Sequence, residues 1–210
     1  MRHCADSESG DDNAALGSLS GSDLAPSGVP PGVEGLRYQM GINSLNQAVF
    51  LDRDGVINQA LVRNGLPYSP TNFDEFKWAE GIHEASRQIV SSGFDLFCIT
   101  NQPDVGRGLQ QLEIVEQFHK MVQDELPIEK IYACYHDGTS PCDCRKPEPG
   151  LLLAAAEEFE LNLSQSWLVG DRWKDIDAGN AVGCRTIFLD YGYDEDLRSL
   201  PDHIIGSVHE

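Results

Sequence analysis

Two aspartates two residues apart, Asp52 and Asp54 in the stretch VFLDRDGVIN (49–58), follow directly on a run of apolar residues. In an extended segment such a pair points to one side. Held close together, two negative charges raise one another's pKa or require a cation. Farther along, Gly170-Asp171-Arg172 closes another apolar run, and Asp175 and Asp177 follow. Asp177 suits the positive end of a helix, and the same bland reading is open to Asp175. Asp52, Asp54 and Asp171, with Asp175 as a fourth, would make a site for a hard divalent cation, of which Mg²⁺ is the usual occupant. Thr100-Asn101-Gln102 ends a further apolar run with one hydroxyl and two amides, donors suited to phosphate oxygens, although such groups also cap turns. Lys146, in CDCRKPEPG, is followed by Pro147 and Pro149, which stiffen its loop. Alone it reads as a surface residue; joined to the acids it becomes a counter-charge for a transferring phosphoryl group.

A second cluster lies in ACYHDGTSPCDCRK, where Cys134-x-His136 is followed after five residues by Cys142-x-Cys144. Each pair can chelate from one side of an extended segment, and together they supply the Cys₃His set of a closed, structural zinc site. The rival reading is buried thiols beside a surface histidine. Cys98 and Cys184 read as core residues, and Cys4 has no assignment.

The elements that must position these groups alternate. Strands are expected at 47–52, 94–100, 130–135, 167–170 and 185–190. Helices are expected at 81–92 (Ile82, Ala85, Ile89 and Val90 inward), 111–126 (Leu112, Val115, Phe118, Val122 and Leu126 inward), 150–159 and 174–182. This predicts an α/β fold, a Rossmann-like three-layer sandwich with a central parallel sheet and no separate cap domain. In such sheets the chemistry gathers at the carboxyl ends of the strands, where Asp52, Asp54, Thr100, Asn101 and Asp171 all fall.

With 210 residues, 40% of them hydrophobic and 23% charged, the chain reads as one soluble globular domain at 44–210. Residues 1–43, rich in Ser, Gly, Asp and Pro, read as a disordered tail. No apolar run is long enough to span a bilayer, and the N-terminus lacks the core of a secretory signal, so a cytoplasmic location is expected. A net charge of −19 argues against nucleic acid or anionic membrane as partner.

FLDRDGVIN, CITNQ, RKPEPG and LVGDRWKD match in order the four motifs of the haloacid dehalogenase (HAD) superfamily of phosphatases, over nearly all of 47–190. The small insertion after the first motif resembles the branch holding histidinol-phosphate phosphatases and heptose bisphosphate phosphatases; TNQPDVGRG and CDCRKP look most like the latter. The resemblance implies that Asp52 is the nucleophile and Asp54 the general acid–base. It further implies Mg²⁺ on Asp52, the Asp54 carbonyl, Asp171 and Asp175, with Thr100 and Lys146 stabilising the phosphoryl oxygens. Members of this type also carry a zinc loop with the ligand order seen at 134–144. The implied reaction is Mg²⁺-dependent hydrolysis of a sugar phosphate through an aspartyl-phosphate, on a heptose 1,7-bisphosphate at its 7-phosphate, by a monomer. Histidinol phosphate or another small metabolite is the alternative substrate. Seven of the 15 basic residues, Arg53, Arg63, Arg107, Arg145, Lys146, Arg172 and Lys174, fall in the motifs or beside them. Arg53 reads as a balance for its neighbouring acids. Arg107, Arg145 and Arg172 read as contacts for a second anionic group of the substrate, together with Asn101 and Gln102.

Overall fold

A computed structural model of the chain describes residues 46–210. The tail expected at 1–43 lies outside the described residues. The first strand, β1 (Ala48–Leu51), is buried along its whole length. A hairpin of β2 (Leu61–Arg63) and β3 (Leu66–Tyr68) follows. Then come α1 (Ile82–Ser91), β4 (Asp95–Asn101), a short α2 (Pro103–Gly106) and α3 (Leu112–Glu125). The remaining elements are β5 (Lys130–Cys134), α4 (Gly150–Phe159), β6 (Trp167–Gly170), α5 (Trp173–Ala181), β7 (Arg185–Leu189) and β8 (His203–Ile205).

Six strands form one sheet in the order β5-β4-β1-β6-β7-β8, and every pairing in it is parallel. Alternate residues of β1 serve opposite faces. Val49 and Leu51 pack with Ile82 of α1 and Val122 of α3. Ala48 and Phe50 pack with Leu151 and Leu152 of α4 and Ala178 of α5. Helices on both faces make the expected three layers, and parallel strands buried on both sides read as continuous apolar runs. No separate cap domain occurs among the described residues.

Three features depart from the sequence expectation. Val90 is 41% exposed rather than inward, while Ser86 takes the buried place on α1 beside Ile82. The sheet continues past β7 to the three-residue strand β8, too short to show a period. The insertion after β1 is a hairpin turned at Asn64-Gly65, both with positive φ (52° and 75°), the pair that hairpin turns with two left-handed residues select.

Candidate active site

β1 ends at Leu51, so Asp52 and Asp54 lie in the turn beyond the strand rather than in it. The Asp52 amide still donates to Val169 O of β6 at 2.9 Å, which fixes Asp52 between the two central strands. Arg53 O then accepts from the amides of Ile57 and Asn58 at 2.8 and 2.9 Å, curling the chain back. Gly55 permits this curl: its φ is +100°, and a Cβ there would overlap the Asp171 carboxylate. The two aspartates therefore face the same crevice through a turn, not through strand alternation.

The two carboxylates have different surroundings. Asp52 Oδ1 lies 2.9 Å from Lys146 Nζ. Burial pushes its carboxyl up from 3.8 to about 6, with Lys146 opposing and Asp175 and Asp54 reinforcing. Asp54 accepts from Arg53 Nε at 3.2 Å and Nη2 at 3.0 Å, Asn58 Nδ2 at 3.0 Å, Ser69 Oγ at 2.7 Å and Gln102 Nε2 at 2.7 Å. Burial alone would raise its pKa, but Arg53 and these donors outweigh it and hold the carboxyl below its usual range. Lys146 is buried and bridges Asp52 to Asp175, whose Oδ1 lies 2.6 Å away; these two acids outweigh desolvation and keep its ammonium charged.

Asp52, Asp171 and Asp175 are buried and bring carboxylate oxygens within 4.8 Å of one another. Asp175 is already committed, its Oδ2 capping α5 through the Arg172 amide at 3.1 Å. Asp171 is not: neither of its oxygens receives a well-formed hydrogen bond. Burial, with Asp52 and Asp175 alongside, raises its pKa well above 3.8, and the Tyr193 hydroxyl offsets only part of this. A buried, unpartnered carboxylate among others is the donor set of a hard divalent cation, so these residues fit Mg²⁺.

The sulfur cluster closes the next loop. Cys134 Sγ lies 3.9 Å from Cys142 Sγ and 3.4 Å from His136 Nδ1. Cys144 Sγ lies 3.8 Å from Cys142 Sγ and 3.2 Å from His136 Nδ1. A tetrahedron with metal–sulfur bonds of about 2.3 Å has edges of about 3.8 Å, so the spacing fits zinc. Arg145 Nη1 donates to His136 O at 2.8 Å, tying the crevice to this loop.

Comparison with known proteins decides the family. Residues 143–210 match the HAD-hydrolase-like family model. A Helicobacter pylori D-glycero-beta-D-manno-heptose-1,7-bisphosphate 7-phosphatase is 37% identical over 140 residues, covering 64% of this chain and 78% of its own. A Campylobacter jejuni D-glycero-alpha-D-manno-heptose-1,7-bisphosphate 7-phosphatase is 34% identical over 148 residues, covering 68% and 81%. The chain belongs to the HAD phosphatases. The crystal structure of the D,D-heptose 1,7-bisphosphate phosphatase of B. bronchiseptica, complexed with magnesium and phosphate, shares the fold at 24% identity, with a TM-score of 0.65 over 77% of this chain and 93% of its own.

As a HAD phosphatase the protein is a phosphoric monoester hydrolase, and its crevice can be matched to the residues expected of it. A cavity of about 270 Å³ is lined by Asp52, Asp54, Asn101, Arg107, Arg145, Lys146, Arg172 and Asp175. Thr100 and Gln102 are buried beneath it. Several expected substrate contacts have partners within the protein. Asn101 exchanges two 3.0 Å bonds with the backbone of Lys146 and so clamps that loop. Gln102 serves Asp54 and Thr100. Arg107 pairs with Asp104 at 3.0 Å and Arg172 with Glu195 through two nitrogens. Sequence reasoning missed Ser69 and Asn58 as holders of Asp54, and Tyr68 in the cavity wall, while Lys174, counted among the basic residues of the motifs, does line the cavity. Asn58 stands inside the first motif, whereas Ser69, a neutral residue in the insertion, carries no signal.

Proposed function

We propose that this HAD phosphatase hydrolyses a heptose 1,7-bisphosphate at its 7-phosphate, with Asp52 as nucleophile and Asp54 as general acid–base. The observation that carries this reading is the pair of carboxylates in one crevice with different environments, one beside Lys146 and the other inside a cage of donors. A carboxylate oxygen of Asp52 attacks phosphorus, the ester P–O bond breaks, and the leaving oxygen takes a proton from Asp54, which the free protein holds ionised and which must therefore take up a proton as substrate binds. Asp54 then removes a proton from water, which attacks the aspartyl-phosphate and restores the Asp52 carboxylate. Lys146, with the Thr100 hydroxyl behind it, offsets charge on the phosphoryl oxygens. Bound Mg²⁺, held by Asp52, Asp171, the Asp54 carbonyl and Asp175, would supply charge neutralisation to the transferring group. The relatives named as heptose bisphosphate phosphatases support the substrate. So do Arg145 and Lys174 of the cavity wall, which suit a second phosphate, whereas Arg107 and Arg172 would have to exchange Asp104 and Glu195 for it.

Zinc in the Cys134, His136, Cys142 and Cys144 cluster would be structural, since protein would fill all four positions. Zinc would need the three sulfurs as thiolates, which a reducing, cytoplasmic location would provide. No helix among the described residues is long and apolar enough to cross a membrane. The net charge of −19 supports a small-molecule substrate rather than nucleic acid, and the protein is taken to act as a monomer.

A substrate panel tests the reading. The kcat/KM should be at least tenfold higher for the heptose 1,7-bisphosphate than for its monophosphate product, for histidinol phosphate or for a simple sugar monophosphate. Preference for histidinol phosphate would show that the arginines serve the acidic scaffold instead.

A further inference from the structure

We propose that His119 is a positioning residue for the acid–base carboxylate, holding Asp54 in place through the buried guanidinium of Arg53. This rests on the reading that Asp54 does the acid–base work.

Arg53 is 0% exposed, although it carries a charge that is costly to bury unless its donors are paired. Its Nε and Nη2 donate to Asp54, and its Nη1 lies 3.2 Å from His119 Nε2. The Phe118 ring lies 5.7 Å from the guanidinium carbon. The guanidinium is a rigid plane, so fixing Nη1 at one end fixes the fork that meets Asp54 at the other. His119, itself 2% exposed on α3, thereby links a helix of one outer layer to the crevice. Burial first, and Arg53 second, push its pKa down to about 3. The ring is therefore neutral and Nε2 can accept, with the proton on Nδ1.

A histidine that merely filled the core would affect all substrates alike. One that orients Asp54 matters most when the leaving group needs a proton. The test compares His119→Leu with the wild type on the best alkyl phosphate of the panel above and on p-nitrophenyl phosphate, whose leaving group needs none. On the alkyl phosphate, kcat should fall at least tenfold with KM changed less than twofold. The burst rate of p-nitrophenolate release, which reports the first step, should fall less than threefold. His119→Gln, which keeps an acceptor, should recover most of the lost kcat. If His119→Leu does not fold by circular dichroism, His119→Met, which also lacks a strong acceptor, takes its place with the same differential loss expected. Equal losses on both substrates, no loss, or no recovery with His119→Gln would overturn the proposal. Asp54→Asn separates the two claims. If it keeps full turnover of the alkyl phosphate, the acid–base reading fails; if it is inactive while the His119 variants are unaffected, the positioning role alone fails.

Discussion

At Gly55 the requirements of backbone and chemistry coincide. Its positive φ turns the chain after Asp54, and its missing Cβ leaves room for Asp171. Gly55→Ala should therefore displace Asp171 and lower kcat/KM at least tenfold, with a matching rise in the Mg²⁺ concentration that gives half-maximal activity. Activity titrated against Mg²⁺ checks this, and an unchanged half-point would show that Asp171 does not hold the ion. Asp52→Asn should lower kcat by about three orders of magnitude or more while the circular dichroism spectrum stays native, because an amide cannot form the acyl phosphate. Radiolabelled phosphate trapped on protein by acid quench should appear with wild type and be absent from the variant. These residues were legible because acids, a glycine and a lysine fall together in four short motifs in a fixed order, not because any one of them is unusual in a turn. Ser69 and Gln102 show the limit. The role of each is a single donor aimed at Asp54, and that aim depends on fold geometry that no local spacing encodes.

Elements were legible where their period was long. α4 and β6 appear at the bounds their apolar patterns predict, 150–159 and 167–170. The β2–β3 hairpin was overlooked although Asn64-Gly65 is a strong turn signal, because its strands of three residues show no alternation. That hairpin matters, since Leu66, Pro67, Tyr68 and Ser69 wall the crevice in place of a cap domain. The loop from Cys134 to Lys146 is the other element that builds the site. It has no regular structure of its own between β5 and α4, so a metal would supply its order. Reduced, purified protein should carry about one zinc per chain by elemental analysis. Cys142→Ser should lose that zinc and, by loosening Arg145 and Lys146, lower kcat/KM about tenfold or more. Full zinc content in that variant would exclude Cys142 as a ligand. Arg145→Ala should instead leave zinc in place and turnover of p-nitrophenyl phosphate within about threefold, while the preference for a bisphosphate over a monophosphate collapses. Retained preference would assign the second phosphate to Lys174 or Arg172.

For the whole molecule, alternating apolar runs predicted a parallel sheet covered on both faces, but not the strand order β5-β4-β1-β6-β7-β8. Which way each crossover turns depends on how finished layers pack, not on any one segment. The order nevertheless explains the site: β1 lies between β4 and β6, so Asp52, Thr100 and Asp171 arrive side by side from three distant stretches. The fold thereby concentrates negative charge in a molecule already at −19. Asp52, at about 6, and Asp171 both titrate above the ordinary 3.8. A group raised in this way binds a proton in the folded state that the unfolded chain has released. Its contribution to stability is present below about pH 4 and is lost as pH rises through about 6. At pH 7 Asp52 is ionised, and an ion that binds only the folded protein recovers the loss. Mg²⁺ at about 100 times its dissociation constant contributes about 2.7 kcal/mol, or a rise in Tm on the order of 5–10 °C for a domain of this size. Calorimetry should show that rise at pH 7 and a much smaller one at pH 5, where protons occupy the same oxygens. Asp171→Asn removes one buried charge, so the metal-free variant should melt above metal-free wild type at pH 7 and gain little from Mg²⁺. An equal gain at both pH values, and in the variant, would place the ion's effect on the acidic surface at large rather than at the strand ends.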